Sequence, residues 1–326
     1  MTATTFGLTN KVISRVGLGT YGHGEAYGGI TREESLAILH SVAEYATKNA
    51  NLIIDTAPRY GNGLVEKWIG EFLRECKNDN ILIATKGGRH IENGRINEKD
   101  FSAEFLKNDL ERSLKRLGVD SVFLYQLHNP SDDTITDGSV FAVLETMRKQ
   151  GKIQWYGVSI DTAEEGLAVL EICRKNGNKG LASLQLIYNV FQKQGWEDLF
   201  CEAKSVGVSI IAREPLCRGF LSDLYIKGIP RELSDAPAKT VELYGSEQIM
   251  ARVRELRNLL SSRDIGIALA QASLSFILAN PSITTVIPGI NQKAYIEGDL
   301  SVSETDINQE TVELIKQLPD LLPLQS

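Results

Sequence analysis

The 326-residue chain contains no apolar run near the ~20 residues that a membrane-crossing helix needs. It has no basic stretch, and 35 Lys+Arg against 42 Asp+Glu leave a net charge of −7. Such a balance disfavours non-specific nucleic-acid binding. Cysteine is scarce: Cys76, Cys173, Cys201 and Cys217 form no CxxC or zinc spacing. Four thiols in so long a chain point to a reducing compartment, with the cysteines as small buried or half-buried core residues. Histidine is as scarce, at His23, His40, His90 and His128, too few and too scattered for a multi-His metal centre. Residues 1–15 lack the apolar core of a signal peptide, so a cytoplasmic location is expected. No linker, internal repeat or low-complexity tract interrupts the sequence, and one domain over residues 1–326 is expected. Hydrophobic residues at 42% exclude a disordered chain.

What the chain does have is alternation. Short apolar runs stand at 16–18, 52–54, 81–84, 122–127, 153–158, 184–187, 208–212 and 284–287. Most are continuous rather than alternating, as strands buried on both faces are. Helical spacing fills 33–48, 101–117, 140–149, 163–175, 196–205, 247–261 and 265–278, with Ser102 and Gly118 as cap and stop of the second. Strict β-α alternation with eight strands predicts an α/β fold of the closed (β/α)8 TIM-barrel kind. A doubly wound sheet is the alternative, but the Gly-rich turn after the first run lacks GxGxxG spacing. Residues 4–12, with the turn Leu8-Thr9-Asn10, predict an N-terminal β-hairpin closing the barrel bottom. Residues 217–245 show no clear periodicity and predict a long functional loop or lid after strand seven.

In such a barrel the site lies at the C-terminal ends of the strands. The second strand ends in Asp55, the third in Lys86 and the fourth in His128. Neighbouring strands lie ~5 Å apart, so these side chains can converge. Tyr60 follows in the loop after Asp55. A nearby ammonium lowers a phenol pKa, Asp55 can hold Lys86 charged, and His128 can donate to a carbonyl oxygen. The set suits polarising and protonating a carbonyl. No activated Ser or Cys nucleophile and no metal cluster is evident, so a cofactor must bring the attacking group, and a nicotinamide hydride fits.

The motifs DTAPRYG, ATKGG and YQLHNP, which carry Asp55, Tyr60, Lys86 and His128, resemble the catalytic tetrad of the aldo-keto reductase superfamily. GLGTYG, KIQWYGVS, LQLIYN, AREPLCRGFLS and TTVIPGI resemble its first, fifth, sixth, seventh and eighth barrel strands, in order along nearly the whole chain. The resemblance implies reversible NAD(P)H-dependent carbonyl reduction, with Tyr60 as general acid or base, Lys86 tuning it, Asp55 pairing with Lys86, and His128 orienting the carbonyl. It implies that Ser159 and Gln185 hold the nicotinamide carboxamide. Gly19, Thr20 and Tyr21 would line the nicotinamide end and substrate mouth, with Asp55 beneath. Arg213 stands where many members have a stacking tyrosine, and Pro215, Leu216, Arg218 and Gly219 would border the pyrophosphate.

The chain departs from the family pattern at the cofactor positions. Ile160 replaces the usual Asn, and Asp223 stands near a usual phosphate-binding Lys. In the last segment, which begins at Gly289, Tyr295 and Asp299 replace the usual Arg and Asn. Asn291 stands where some members have Arg, which leaves Lys293 as the segment's cation. The family favours NADP, while these residues predict weak selection against NAD. The DTAPxYGxG form resembles members that act on free sugars, and the polar rim residues His23, Glu25, Tyr27 and Arg59 would suit a hydroxylated substrate, so a sugar or sugar-like substrate is expected. Generic aldehydes and ketones are the alternative. Substrate choice would be set by the loop 129–138, the loop after strand seven and the tail 318–326. The resemblance also extends to ion-channel β subunits, which keep the fold and a bound cofactor, so a non-catalytic regulatory subunit is the alternative function. Oligomeric state stays open.

Overall fold

The structure, a computed structural model, describes residues 2–24, 28–91 and 97–322. Its strands are β1 (Ala3–Thr5), β2 (Val12–Ser14), β3 (Leu18–Gly19), β4 (Leu52–Asp55), β5 (Ile81–Gly87), β6 (Val122–His128), β7 (Ile153–Ser159), β8 (Leu181–Ile187), β9 (Ser209–Arg213) and β10 (Thr285–Val286). Its α-helices are α1 (Arg32–Ala43), α2 (Leu64–Glu75), α3 (Ala103–Leu117), α4 (Asp132–Asp137), α5 (Ser139–Lys149), α6 (Ala163–Lys175), α7 (Glu197–Ser205), α8 (Asp235–Tyr244), α9 (Ser246–Ser262), α10 (Leu269–Leu278), α11 (Ile296–Leu300) and α12 (Gln309–Gln317).

Strands β3 to β10 form one parallel sheet in chain order. Its two edges meet: Gly17 N donates to Val286 O at 2.8 Å and Gly19 N to Pro288 O at 2.8 Å. Val16 and Val286 pair as a parallel bridge, as do Gly19 and Gly289. The sheet therefore closes into the (β/α)8 barrel that the alternation predicts. Each predicted apolar run falls on one barrel strand.

The predicted hairpin is β1 against β2, with Thr4 opposite Ile13. Asn10 takes the left-handed conformation at φ 57°, which a short amide side chain tolerates. The turn inserts Phe6, fully buried, into the barrel interior beside Ile53, Leu82, Ala84, Leu124 and Ile211. Its ring meets that of Phe123 edge-on at 5.6 Å. The hairpin thus closes the bottom of the barrel. Phe6→Ala would leave a cavity there, and we expect it to cost about 3–5 kcal/mol in a thermal or urea melt. A variant melting like the wild type would show that the plug contributes little.

Several helices differ from expectation. The first ends at Ala43 rather than 48. Helix α2 went unpredicted, although its buried Val65, Trp68, Ile69 and Phe72 have helical spacing. The predicted loops 129–138 and 217–245 contain α4 and α8. Pro237 sits in the first turn of α8, where its missing N–H would have no intrahelical partner. Ser102 caps α3 by accepting from Phe105 N, and Gly118 ends it at φ 66°, as predicted. Cys201 is exposed, unlike the other three cysteines, and all four are free. Among the described residues no helix is long and apolar enough to cross a membrane.

Candidate active site

Side chains along a strand alternate between faces, so residues two apart share one. Counting by two from the interior core carries each strand to a polar residue at its C-terminal end. Ile53 leads to Asp55, Leu82 and Ala84 to Lys86, Leu124 to Gln126 and His128, and Ile211 to Arg213. Register aligns these ends, with Lys86 opposite Gln126 and His128 opposite Ser159. Tyr60 comes from the turn after β4. Its N–H donates to Ala57 O at 3.0 Å, and Gly61, Asn62 and Gly63 all adopt positive φ before α2 begins. The Gly-Asn-Gly sequence makes that turn accessible and aims Tyr60 inward.

The four predicted catalytic residues are together. Lys86 Nζ donates to Tyr60 Oη at 3.0 Å, to Thr56 O at 3.1 Å and to Asp55 Oδ1. The other Asp55 oxygen accepts from Gln126 Nε2 at 3.0 Å and Gln185 Nε2 at 2.9 Å. A buried ion pair persists when its remaining lone pairs are satisfied, and these amides satisfy them. The Tyr60 ring meets Tyr21 at 5.1 Å and His128 edge-on at 6.4 Å.

Burial raises the Tyr60 phenol above its ordinary pKa, and the Lys86 charge opposes that rise without reversing it. The expected net lowering is therefore corrected: in this buried setting desolvation outweighs the ammonium. Burial also works against the Lys86 charge, but Asp55 and Tyr60 together hold it above the ordinary lysine value. His128 is driven well below the usual imidazole range by burial and by Lys86, Arg89, Arg59 and Arg213. It is neutral at physiological pH.

The tetrad lines a cavity of about 620 Å³. Its wall also includes Gly19, Tyr21, Ser159, Gln185, Arg213, Pro215, Leu216, Arg218, Gly219, Gly289, Asn291, Tyr295 and Asp299, all named above as candidate cofactor contacts. Thr20 and Lys293 are not part of that wall. Thr20 is buried with its hydroxyl on Asp55 O at 2.9 Å, and Lys293 is exposed. Ser159 Oγ donates to Asn129 Oδ1 at 3.2 Å. Arg213 Nη2 reaches Asp161 Oδ1 at 2.6 Å and Ile160 O at 3.3 Å. Glu214, Cys217, Arg218 and Gly219 all have positive φ. For the three non-glycine residues such backbone is costly, and costly backbone clusters at functional sites.

The sequence reading missed Gln126, Arg59's companion Arg89, and Lys239. Gln126 was findable by stepping back two residues from His128. Lys239 lies on the unpredicted α8 and supplies the wall with a cation. Asp223, which also lines the wall, is neutralised by Arg257 at 2.6 Å. Asp299 is buried, with no charged partner among the described residues, and burial pushes its pKa up to about 7. His23 is no rim residue. It is buried, with Nδ1 2.8 Å from Ser35 Oγ and Nε2 2.9 Å from Ile290 O, and burial takes it down to about 4. Glu25 and Tyr27 lie outside the described residues, as do the last four residues of the tail.

Comparison with known proteins identifies a family and a matching fold. The model of the Aldo/keto reductase family matches residues 15–320. Aldo-keto reductase YhdN of Bacillus subtilis is 25% identical over 95% of this chain and 91% of its own length. Aldo-keto reductase yakc of Schizosaccharomyces pombe, whose name specifies NADP(+), is 25% identical over 98% of this chain and 92% of its own. The solved structure of aldo-keto reductase AKR11C1 from Bacillus halodurans, in its holo form, superposes with a TM-score of 0.77 at 23% identity. That match covers 98% of this chain and 97% of the other, and at that identity it speaks for the fold.

Proposed function

The chain belongs to the aldo/keto reductase family and is an NAD(P)-dependent oxidoreductase of that type; from that premise we propose that it interconverts a small carbonyl compound and its alcohol, with Tyr60 moving the proton. The observation that carries this reading is the Tyr60 hydroxyl, 3.0 Å from the Lys86 ammonium in the wall of a deep cavity. A nicotinamide cofactor, when bound, supplies or accepts the hydride. In reduction Tyr60 Oη donates its proton to the developing alkoxide, and Lys86 Nζ stabilises the phenolate left behind. Asp55 keeps Lys86 charged. His128, neutral, serves as hydrogen-bond donor to the carbonyl oxygen without competing as an acid.

The wall suits a dinucleotide. Ser159 and Asn129 offer a hydroxyl and an amide beside His128. Gln185, whose amide faces Asp55, acts in this reading mainly on the carboxylate. Arg218, Ser222 and Lys239 provide donors for phosphate oxygens, from the segment after β9 and from α8. Tyr295 and Asp299 offer no cation to a 2′-phosphate. We expect dissociation constants for NADP and NAD within about thirtyfold of each other, or about 2 kcal/mol. A calorimetric preference for NADP beyond about a hundredfold, removed by Lys239→Met, would instead assign the 2′-phosphate to Lys239.

The test of the function is hydride transfer. The protein is incubated with nicotinamide cofactor deuterated at C4 and a panel of sugars, lactols and simple aldehydes. The expected result is cofactor oxidation with deuterium on the former carbonyl carbon. A folded, cofactor-binding protein that transfers no label to any of them overturns the reading. The sugar-like reading loses His23 from its rim and keeps Arg59.

A further inference from the structure

The mouth of the cavity is cationic rather than merely polar. Arg59 immediately precedes Tyr60, and Arg89 follows Lys86 by three residues, so the adjacent strands β4 and β5 each place a guanidinium beside the reacting groups. Both arginines line the same cavity as Tyr60 and His128. Neutral partners hold them. The Arg59 guanidinium lies 5.7 Å from the centre of the Tyr21 ring. Arg89 Nε donates to His128 O at 3.1 Å and Nη1 to Asn97 O at 3.2 Å. Such contacts fix a guanidinium in place and leave its charge uncancelled.

Apart from Lys239 and Asp299, the other charges of the wall cancel locally. Lys86 pairs with Asp55, Arg213 with Asp161 and Glu214, Arg218 with Glu214, and Asp223 with Arg257. Among the described residues no carboxylate lies within ion-pair distance of Arg59 or Arg89. Their charges repel: burial first, and then Arg59, lowers the pKa of Arg89, with Asp161 only partly offsetting this. Both also bear on His128. In a chain of net charge −7, two half-buried like charges converging on the reacting centre are a standing cost that a bound anion would relieve.

We propose that Arg59 and Arg89 form a binding pair for an anionic group on the substrate, a carboxylate or a phosphate, so that the enzyme prefers negatively charged carbonyl compounds. This rests on the carbonyl-oxidoreductase reading above. The cofactor's own phosphates have a separate set of donors in Arg218, Ser222 and Lys239, on the segment after β9 and on α8. A planar guanidinium presents paired donors that match either oxyanion, and two of them accept it from neighbouring loops.

The test compares matched aldehydes: 4-carboxybenzaldehyde against 4-nitrobenzaldehyde, and glyceraldehyde 3-phosphate against glyceraldehyde. For at least one pair we expect kcat/KM to favour the anion by about ten- to a hundredfold, chiefly through KM, with the advantage shrinking in high salt. An advantage in only one pair identifies the group as carboxylate or phosphate. In Arg59→Met and Arg89→Met the ratio of charged to neutral substrate should fall toward one. Arg89→Lys should keep part of it. Because each variant is judged by its own ratio, a general loss of activity does not obscure the result. Turnover of all four aldehydes with ratios near one overturns the proposal, as does an advantage that survives both Met substitutions. Absence of turnover with every aldehyde and both cofactors would instead indict the functional reading beneath it.

Discussion

Tyr60→Phe is expected to lower turnover by roughly 10²–10⁴-fold, the range that general acid catalysis contributes. Cofactor affinity should stay near wild type, because the hydroxyl is the only group removed. The ring contacts with Tyr21 and His128 survive in phenylalanine. Lys86 keeps Asp55 and the Thr56 carbonyl as partners, so the fold should hold. The rival donor is His128. Burial and four cations suppress its protonated form, so near neutral pH it holds no imidazolium proton to give and only its N–H to donate in a hydrogen bond. His128→Gln should therefore raise KM more than it lowers the chemical rate, and no limb near pH 6.5 should trace to this residue. The Tyr60 phenol, held above its ordinary value by burial, stays protonated through neutral pH. Reduction should then run on a plateau and fall only at alkaline pH. Steady-state rates with a deuterated cofactor, to show that hydride transfer limits turnover, check the comparison. A Tyr60→Phe enzyme above about a tenth of normal turnover would remove Tyr60 as the acid.

The tetrad was legible because its position is a local property. An apolar strand that runs into a titratable residue announces a buried barrel strand and its rim; Asp55 and His128 each end one, and Lys86 stands one residue before the end of β5. Net electrostatics were not legible in the same way. The sign of the Tyr60 shift depends on how much water the folded barrel excludes, and no spacing encodes that. By its sequence His23 reads as one more polar residue of the rim. Its true partner is the carbonyl of Ile290, brought near only when the barrel closes. Lys239 escaped notice because Pro237 and the flanking glycines broke the pattern in which a helix would have been sought. Arg59 and Arg89 were readable as charges, but that no carboxylate among the described residues pairs with them is a property of the assembled loops.

Lys86→Met should damage both chemistry and stability, and the two effects are separable. Asp55 and Lys86 are almost completely buried. Removing the ammonium leaves a buried carboxylate with only two amide donors, and breaking such a pair typically costs about 3–5 kcal/mol. Adding Asp55→Asn removes the stranded charge, so the double variant should regain part of the lost stability without regaining activity. Turnover should fall in both, because the phenolate formed on Tyr60 loses the cation that stabilises it. With burial unopposed, the Tyr60 pKa moves further up, so the alkaline limb of alcohol oxidation, which needs the phenolate, should shift to higher pH. Linkage adds a sign that can be checked. The folded-state pKa of Lys86 lies above the ordinary lysine value. The stabilisation from its charge is therefore fully present below that value and is lost as pH rises through the folded one. Wild-type melting temperature should fall in that alkaline window through this group, a component that Lys86→Met lacks. Thermal melts from neutral to alkaline pH, run beside pH–rate profiles for the two variants, measure all of this. A single variant with wild-type melting temperature and an unmoved oxidation profile would show that Lys86 neither holds Asp55 nor tunes Tyr60.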